Sequence, residues 1–598
     1  MKKLILLLCL CMLLTACSGT NSPTESHSGT TAPTGTEGST QPTTAISPEN
    51  QFSDRDQNTD TTGSAEILLN GTTATSADAG VSVSSSTVLI RSAGKYRLTG
   101  NLSGTVVVEV GKTDHVQLIL DNANITATDT AALYVKQADK VVITLEGYNS
   151  LQTQGTFPET EEKIDAAVFA KDDLSFNGTG SLTVASPDHG IVCKNDLVFA
   201  GGTYTVEAGR HGISVKDSLR IGDGIFTVNA GKDAVNAENT EDPSAAYIYI
   251  AQGSFTLTAE GDGISGDSTL QIDGGTFAIT TGGGNKNGET HYDMPPGFSQ
   301  NTTATADTVS SKGMKSEGNV LIYGGTFQID SADDGIHSNN SVEIYGGSFL
   351  IQSGDDGIHA EEQLLIRDGE ITIPTSYEGL EAHRIDIDGG LITITASDDG
   401  LNAAGGNDGS GMGRNDMFAN DEYAYISITG GKLVIDASGD GIDSNGTLTV
   451  SGGETYVSGS TNGGNGALDY NGEGKITGGI FIAAGSSGMA MGFGTNSTQG
   501  TIFVSYNTQE AGSQVSLTNS AGEVILSWVT TKPSGSIVLS CPGILKGETY
   551  TLTVGSITGD IVMTDIVYGT TSGGPGGGGG GNPPPGGGGG NPPPGGGR

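Results

Sequence analysis

Asp334-Gly335-Ile336-His337-Ser338 is followed 22 residues later by Asp356-Gly357-Ile358-His359-Ala360. The phrase returns as Glu378-Gly379-Leu380-Glu381-Ala382, Asp399-Gly400-Leu401-Asn402-Ala403 and Asp440-Gly441-Ile442-Asp443-Ser444. Its Gly, or the residue in its place, falls at Gly190, Gly212, Ala234, Gly263, Gly313, Gly335, Gly357, Gly379, Gly400, Gly441, Gly466 and Gly488, and the commonest step is 22 residues. Between copies lies a second phrase, as in Val320-Leu321-Ile322-Tyr323-Gly324-Gly325-Thr326-Phe327 and Val342-Glu343-Ile344-Tyr345-Gly346-Gly347-Ser348-Phe349. Each unit thus holds three short runs with apolar residues at every second position, a period that specifies strands. Three strands per repeat with no helical segment between them predict a solenoid.

The expected fold is all-β, a parallel β-helix of about 22 residues and three strands per coil. Inward Ile, Val, Leu and Phe would fill a narrow core. Ser338, Ala360, Ala382, Ala403 and Ser444 would occupy one tight inward position, and Gly-Gly pairs would supply the positive φ that sharp corners need. The 97 Gly and the 6% aromatic content suit a turn-rich solenoid. Cys193 falls at an inward position and reads as a buried thiol, so no disulfide framework is expected.

The ends carry other signals. Met1-Lys2-Lys3, the apolar run Leu4 to Leu14 and Leu14-Thr15-Ala16-Cys17 form a lipoprotein signal over 1–16 with lipid attachment at Cys17. A lipid there would hold the protein at the outer face of a bacterial cell membrane. Residues 17–63, rich in Ser, Thr and Pro, read as a disordered tether, and 571–598 as a disordered Gly/Pro tail. The β-helix is expected over 64–499. Alternating runs such as Tyr550-Thr551-Leu552-Thr553-Val554 place a β-rich cap over 500–570, closing the open sheet edge.

With 68 acidic against 27 basic residues the net charge is −41, which argues against nucleic acid as a partner. The acids recur in register. In a stacked solenoid, the position before the phrase's Gly carries Asp334, Asp356, Glu378, Asp399 and Asp440. The position two after it carries His337, His359, Glu381, Asn402, Asp443 and Asp469. Both columns are expected on one outward edge. Carboxylates about 4.8 Å apart repel by roughly 3 kcal/mol per neighbouring pair at an effective dielectric near 20. A cation between coils would reverse that cost, and oxygen-rich company favours Ca²⁺ over the Zn²⁺ that the two histidines suggest. The candidate metal ligands are therefore Asp334, Asp356, Glu378, Glu381, Asp399, Asn402, Asp440 and Asp443. The competing reading makes these Asp residues turn caps.

Tyr323 and Tyr345, with Arg367 at the matching place in the next coil, form a candidate carbohydrate-binding column. Two polar insertions, 282–307 and 405–422, would add binding loops on a rigid scaffold.

Several stretches resemble a known family. They include Ala93-Gly94-Lys95-Tyr96-Arg97-Leu98-Thr99-Gly100, Val116-Gln117-Leu118-Ile119-Leu120-Asp121-Asn122-Ala123 and the Asp-Asp-Gly-Ile-His copies. Over roughly 65–490 the chain is similar to the bacterial carbohydrate-binding domain family typified by clostridial cellulose- and pectate-binding β-helix proteins. The resemblance implies a right-handed parallel β-helix, bound calcium and polysaccharide binding without catalysis. The expectation is a monomeric, non-enzymatic polysaccharide-binding lipoprotein. The alternatives are a Ca²⁺-dependent pectate lyase using Arg367, Arg384 or Arg414 as base, and a structural surface adhesin.

Overall fold

The computed structural model describes residues 45–159, 161–288, 310–404 and 421–569. Among these the chain is all-β. Its helical content is one four-residue α-helix, Asp54–Gln57, and two short 3₁₀ turns. One sheet holds 47 strands and a second holds four.

The repeat sets the pairing. Ile213–Val215 pairs in parallel with Val235–Ala237, and the series continues through Ile264–Gly266, Met314–Ser316, Ile336–Ser338 and the strand Ile358–Ile366. The second strand of each unit stacks likewise, Leu270–Ile272 under Val320–Ile322 under Ser341–Ile344. So does the third, Thr276–Thr281 under Thr326–Ser331 under Ser348–Ser353. Each residue lies on its equivalent in the next unit, at the strand spacing of roughly 4.8 Å.

Like therefore packs on like. Phe226, Phe255, Phe277, Phe327 and Phe349 form one buried ladder, with ring centroids 4.6–5.0 Å apart and planes within 6° of parallel. Ser338, Ala360, Ala382, Ala403 and Ser444 are wholly buried, as their small size demands. Cys193 is a buried thiol stacked between Ala170 and Val215. In the Gly-Gly turns the second glycine takes the positive φ, +121° at Gly325 and +113° at Gly347, which side chains disfavour.

Both ends of the stack break the parallel pattern. At the N-terminal end Ala65–Gly71 and Thr73–Ser76 form an antiparallel pair, as do Val81–Ser84 and Thr87–Ile90. At the C-terminal end Ser534–Ser540 lies antiparallel between Ile480–Gly485 and Thr501–Gln509. Its backbone groups satisfy an edge that would otherwise recruit another chain.

The tether expected over 17–63 ends earlier than its composition suggests. Residues 45–63 run along the outward side of the second strands, against the direction in which the units stack. Ile46 exchanges two hydrogen bonds with the Gln271 amide, at 2.6 and 3.0 Å. Phe52 packs against Tyr249 at 6.2 Å between ring centroids. Asp56 is buried against Lys140 Nζ and Ser175 Oγ, both at 2.5 Å. Asn177 donates to the Asp56 and Asn58 carbonyls, and Lys95 donates to that of Asp60. This strap needs few apolar residues, because it satisfies polar side chains that point out from the sheet. Cys17, the 1–16 signal, the 571–598 tail and most of the two insertions lie outside the described residues.

Replacing Asp56 with Ala would leave the Lys140 ammonium buried without its counter-ion. The expected loss is roughly 3 kcal/mol of unfolding free energy, measured by chemical denaturation. An unchanged midpoint would show that the strap contributes nothing to the fold.

Candidate functional site

The two columns form as the register demands. Two residues after the phrase's Gly, strand pairing stacks Ser214, Asn236, Ser265, Lys315, His337, His359, Glu381, Asn402, Asp443 and Asp469 in order. At the upper end Ala467, not Gly466, therefore stands in the place of the phrase's Gly. The column before the Gly runs from His189 and His211 through Asp233, Asp262, Lys312, Asp334, Asp356, Glu378 and Asp399 to Asp440, as the backbone hydrogen bonds between units show.

The expected exposure of this edge is corrected. His359 has no accessible surface, and Asp334, Asp356 and His337 retain 1–3%. Each of these side chains is covered above and below by its equivalents and on its flank by the other column. The oxygens of each Asp then divide their tasks. Oδ1 accepts the backbone N–H of the next unit: Asp233 from Asp262 at 2.9 Å, Asp262 from Lys312 at 2.8 Å, Asp334 from Asp356 at 3.1 Å, Asp356 from Glu378 at 3.2 Å and Asp399 from Asp440 at 2.5 Å. These bonds reach the next unit and not the Asp's own turn, so they fasten the stack. Oδ2 is left to face charged neighbours, in the same column for Asp233, 3.1 Å from His211 Nδ1, and across to the other column for Asp334, 2.8 Å from His337 Nδ1.

Charge compensation changes along the column. Lys312 places Nζ 2.7 Å from Asp334 Oδ2 and 2.8 Å from Asp333 Oδ1. His337 places Nδ1 2.8 Å from Asp334 Oδ2, and its Nε2 lies 2.8 Å from Asn339 Oδ1. The Asn339 amide nitrogen already donates to Glu317, so its oxygen accepts from His337. Both His337 nitrogens thus face acceptors, and although burial opposes the ring's charge, the Asp334 contact raises its pKa above the ordinary value. Burial opposes the Asp334 charge, but Lys312 and His337 more than offset it and hold the carboxyl below its ordinary range. Asp334 is already neutralised by protein groups, although it was a candidate metal ligand. Lys312 escaped the sequence reading, yet its signal was present: a Lys stands before the repeat Gly where the following units carry an acid.

Above Asp334 no lysine follows in the column among the described residues, and acids predominate. Burial, then repulsion from neighbouring acids, pushes Asp356, Glu378 and Asp399 well above the usual carboxylate range. Burial raises Asp440 to about 8 and Asp443 to about 7. Asp399, Asp440 and Asp443 bring one oxygen each within 4.8 Å of one another. Asn402, on the column between Glu381 and Asp443, donates to both Glu378 oxygens at 2.8 and 2.9 Å. Its buried Oδ1 has no hydrogen-bond donor among the described residues, so an oxygen lone pair remains for a cation. A donor set made only of carboxylates and an amide oxygen fits Ca²⁺.

The tyrosine column also forms, with Tyr323 and Tyr345 centroids 4.7 Å apart and planes 9° from parallel. Stacked on each other, each ring covers one face of the other. The Tyr345 hydroxyl donates to Glu343 at 2.6 Å, and Arg367 pairs with Asp388. A second surface was missed. On the third strands Thr205, Thr227 and Thr256 stack in one outward column, and Ser254, Thr276 and Thr326 in the adjacent one. These are uncharged hydroxyls on a regular lattice in an acidic protein. Alternation alone marks such residues only as outward.

The raised acids make stability depend on pH. Asp440 and Asp443 hold protons in the folded chain at pH values where the unfolded chain has released them. Their contribution is therefore full below the ordinary value of 3.8 and is lost as pH rises through about 7 and about 8. With a chelator present, the melting temperature is expected to fall as pH is raised from about 5 to about 8. Added Ca²⁺ is expected to restore it more at the upper pH than at the lower. A flat profile in calorimetry, with or without Ca²⁺, would contradict this account of the column.

A curated carbohydrate-binding domain-containing protein from Acetivibrio thermocellus is 38% identical over 133 residues, 21% of this chain and 46% of that protein. The chain thus spans about half the length of this relative. A solved structure, described as a polysaccharide lyase-like protein from C. thermocellum in its gadolinium derivative, is 30% identical. It covers 43% of this chain and 96% of that one, at a TM-score of 0.37. The model of one family matches residues 84–357 and 354–525, most of the strand stack, and by that match the chain belongs to the family of carbohydrate-binding domain-containing proteins.

Proposed function

We propose that this protein is a non-catalytic polysaccharide-binding lipoprotein at the outer face of a bacterial membrane, its strand triplets wound as a right-handed parallel β-helix and its acidic column holding calcium. Membership of a carbohydrate-binding family is the observation that carries the reading. The name of the A. thermocellus relative agrees with it. The three-strand periodicity of the parallel pairing supports the β-helix.

Asp399, Asn402, Asp440 and Asp443 would hold the calcium, and Ca²⁺ there neutralises acids that otherwise repel. Because the column is largely buried, its ion would act on the polysaccharide indirectly, by holding successive units together. The sugar would lie on an exposed face. The Thr and Ser lattice suits a flat, neutral glucan such as cellulose, because it offers hydroxyls in rows and no fixed charge to desolvate. The Tyr323–Tyr345 edge with Arg367 is the other exposed candidate. Arg367 and Arg384, the described bases that a lyase would need, both face acids: Asp388, and Glu362 at 3.5 Å.

Retention on cellulose and on pectate, measured with and without chelator, tests the reading. Below the melting temperature of the chelated protein, cellulose binding is expected to persist. Thr256→Glu is expected to weaken it at least tenfold, and Tyr345→Ala to weaken it less. Equal retention of Thr256→Glu and the parent protein would remove the sugar from that face. Appearance of unsaturated uronide absorbance with pectate would make the protein a lyase.

A further inference from the structure

We infer that the lower part of the acidic column, between Asp334 and Glu381, is a metal site of transition-metal type, distinct in chemistry from the all-oxygen cluster above it. The inference rests on His359 and does not depend on calcium binding at Asp399, Asp440 and Asp443.

His359 Nδ1 lies 3.5 Å from Asp356 Oδ2, 3.6 Å from Glu381 Oε2 and 3.7 Å from Asp334 Oδ2. Asp356, His359 and Glu381 bring one ligand atom each within 4.8 Å of one another, whereas Asp334 groups with His337 and His359 instead. With metal–ligand bonds of about 2.0–2.1 Å, two corners of a tetrahedron stand about 3.3 Å apart. Small inward shifts would complete the geometry.

The neighbours decide which groups are available. Asp334 is already compensated by Lys312 and His337, and both nitrogens of His337 are committed to Asp334 and Asn339. The site therefore consists of Asp356, His359 and Glu381, three ligands from two adjacent units, with a fourth position left for water. Asp356 is fixed by accepting the Glu378 N–H on its other oxygen, at 3.2 Å. Such a partner orients a ligand.

An imidazole nitrogen with two carboxylates suits Zn²⁺ or Co²⁺, whereas Ca²⁺ takes oxygen donors. The cluster of Asp399, Asp440 and Asp443 offers no nitrogen. Stacking has thus placed two kinds of donor set in one column, and the change falls where the residue two after the repeat Gly turns from His to acid and amide.

The test uses the full chain, stripped of metal and titrated with Co²⁺, whose visible absorption reports nitrogen-containing, low-coordinate ligation. The expected result is one Co²⁺ per chain at this site, displaced by equimolar Zn²⁺ and retained against a large excess of Ca²⁺. His359→Gln is expected to weaken Co²⁺ binding by more than the roughly 10–100-fold that loss of a partner outside the ligand set costs. If His359→Gln fails to fold by circular dichroism, Glu381→Gln, at a half-buried position, reads out the same loss. The inference is overturned if the parent protein gives no Co²⁺ spectrum, if Ca²⁺ displaces Co²⁺ at equal concentration, or if the folded variant binds Co²⁺ as the parent does.

Discussion

Superposition in register is the constraint on which this structure depends. Each unit lays its strands on those of the unit before it, so a residue at one repeat position meets itself above and below. For apolar side chains this is favourable throughout, and the five-Phe ladder is its clearest product. For charged side chains the same rule is costly, because it sets like charges about 4.8 Å apart where water is scarce. The protein resolves that cost locally. Low in the column His211 faces Asp233, and Lys312 with His337 compensates Asp334. Above Asp334 no lysine or arginine stands on the column among the described residues: His359 faces Asp356 and Glu381, and beyond it acids and an amide follow one another.

A single Asp can serve both demands because its two oxygens diverge. One accepts an N–H from the next unit and so fastens the stack. The other faces charged neighbours and sets the charge that must be met. Fastening the stack and setting its charge are therefore properties of the same side chain. Glu378 stands apart: its longer side chain gives both oxygens to Asn402.

The strap over 45–63 follows a different logic. Outward residues on the second strands, among them Ser175, Asn177 and Gln271, are buried although the sheet directs them outward. They are buried because a polar segment lies over them and supplies their hydrogen bonds. Buried polar groups need partners, and here strap and sheet supply one another. Composition could not reveal this, since a Ser/Thr/Pro stretch that binds through its backbone resembles one that binds nothing.

The sequence by itself determined the strand period, the buried small residues, the positive-φ glycines and the acidic members of both columns, with the register misplaced by one only at Ala467. Each of these depends on neighbours along the chain or at a fixed multiple of the repeat. Only the tertiary structure decided that the columns are buried, that Lys312 and His337 neutralise Asp334, that the two tyrosines stack on each other, and that residues 45–63 belong to the fold. Those outcomes depend on what lies across the stack, and no repeat length encodes it. Burial is the decisive quantity: it turns an acidic edge from a solvated surface into a set of charges that must be answered one by one.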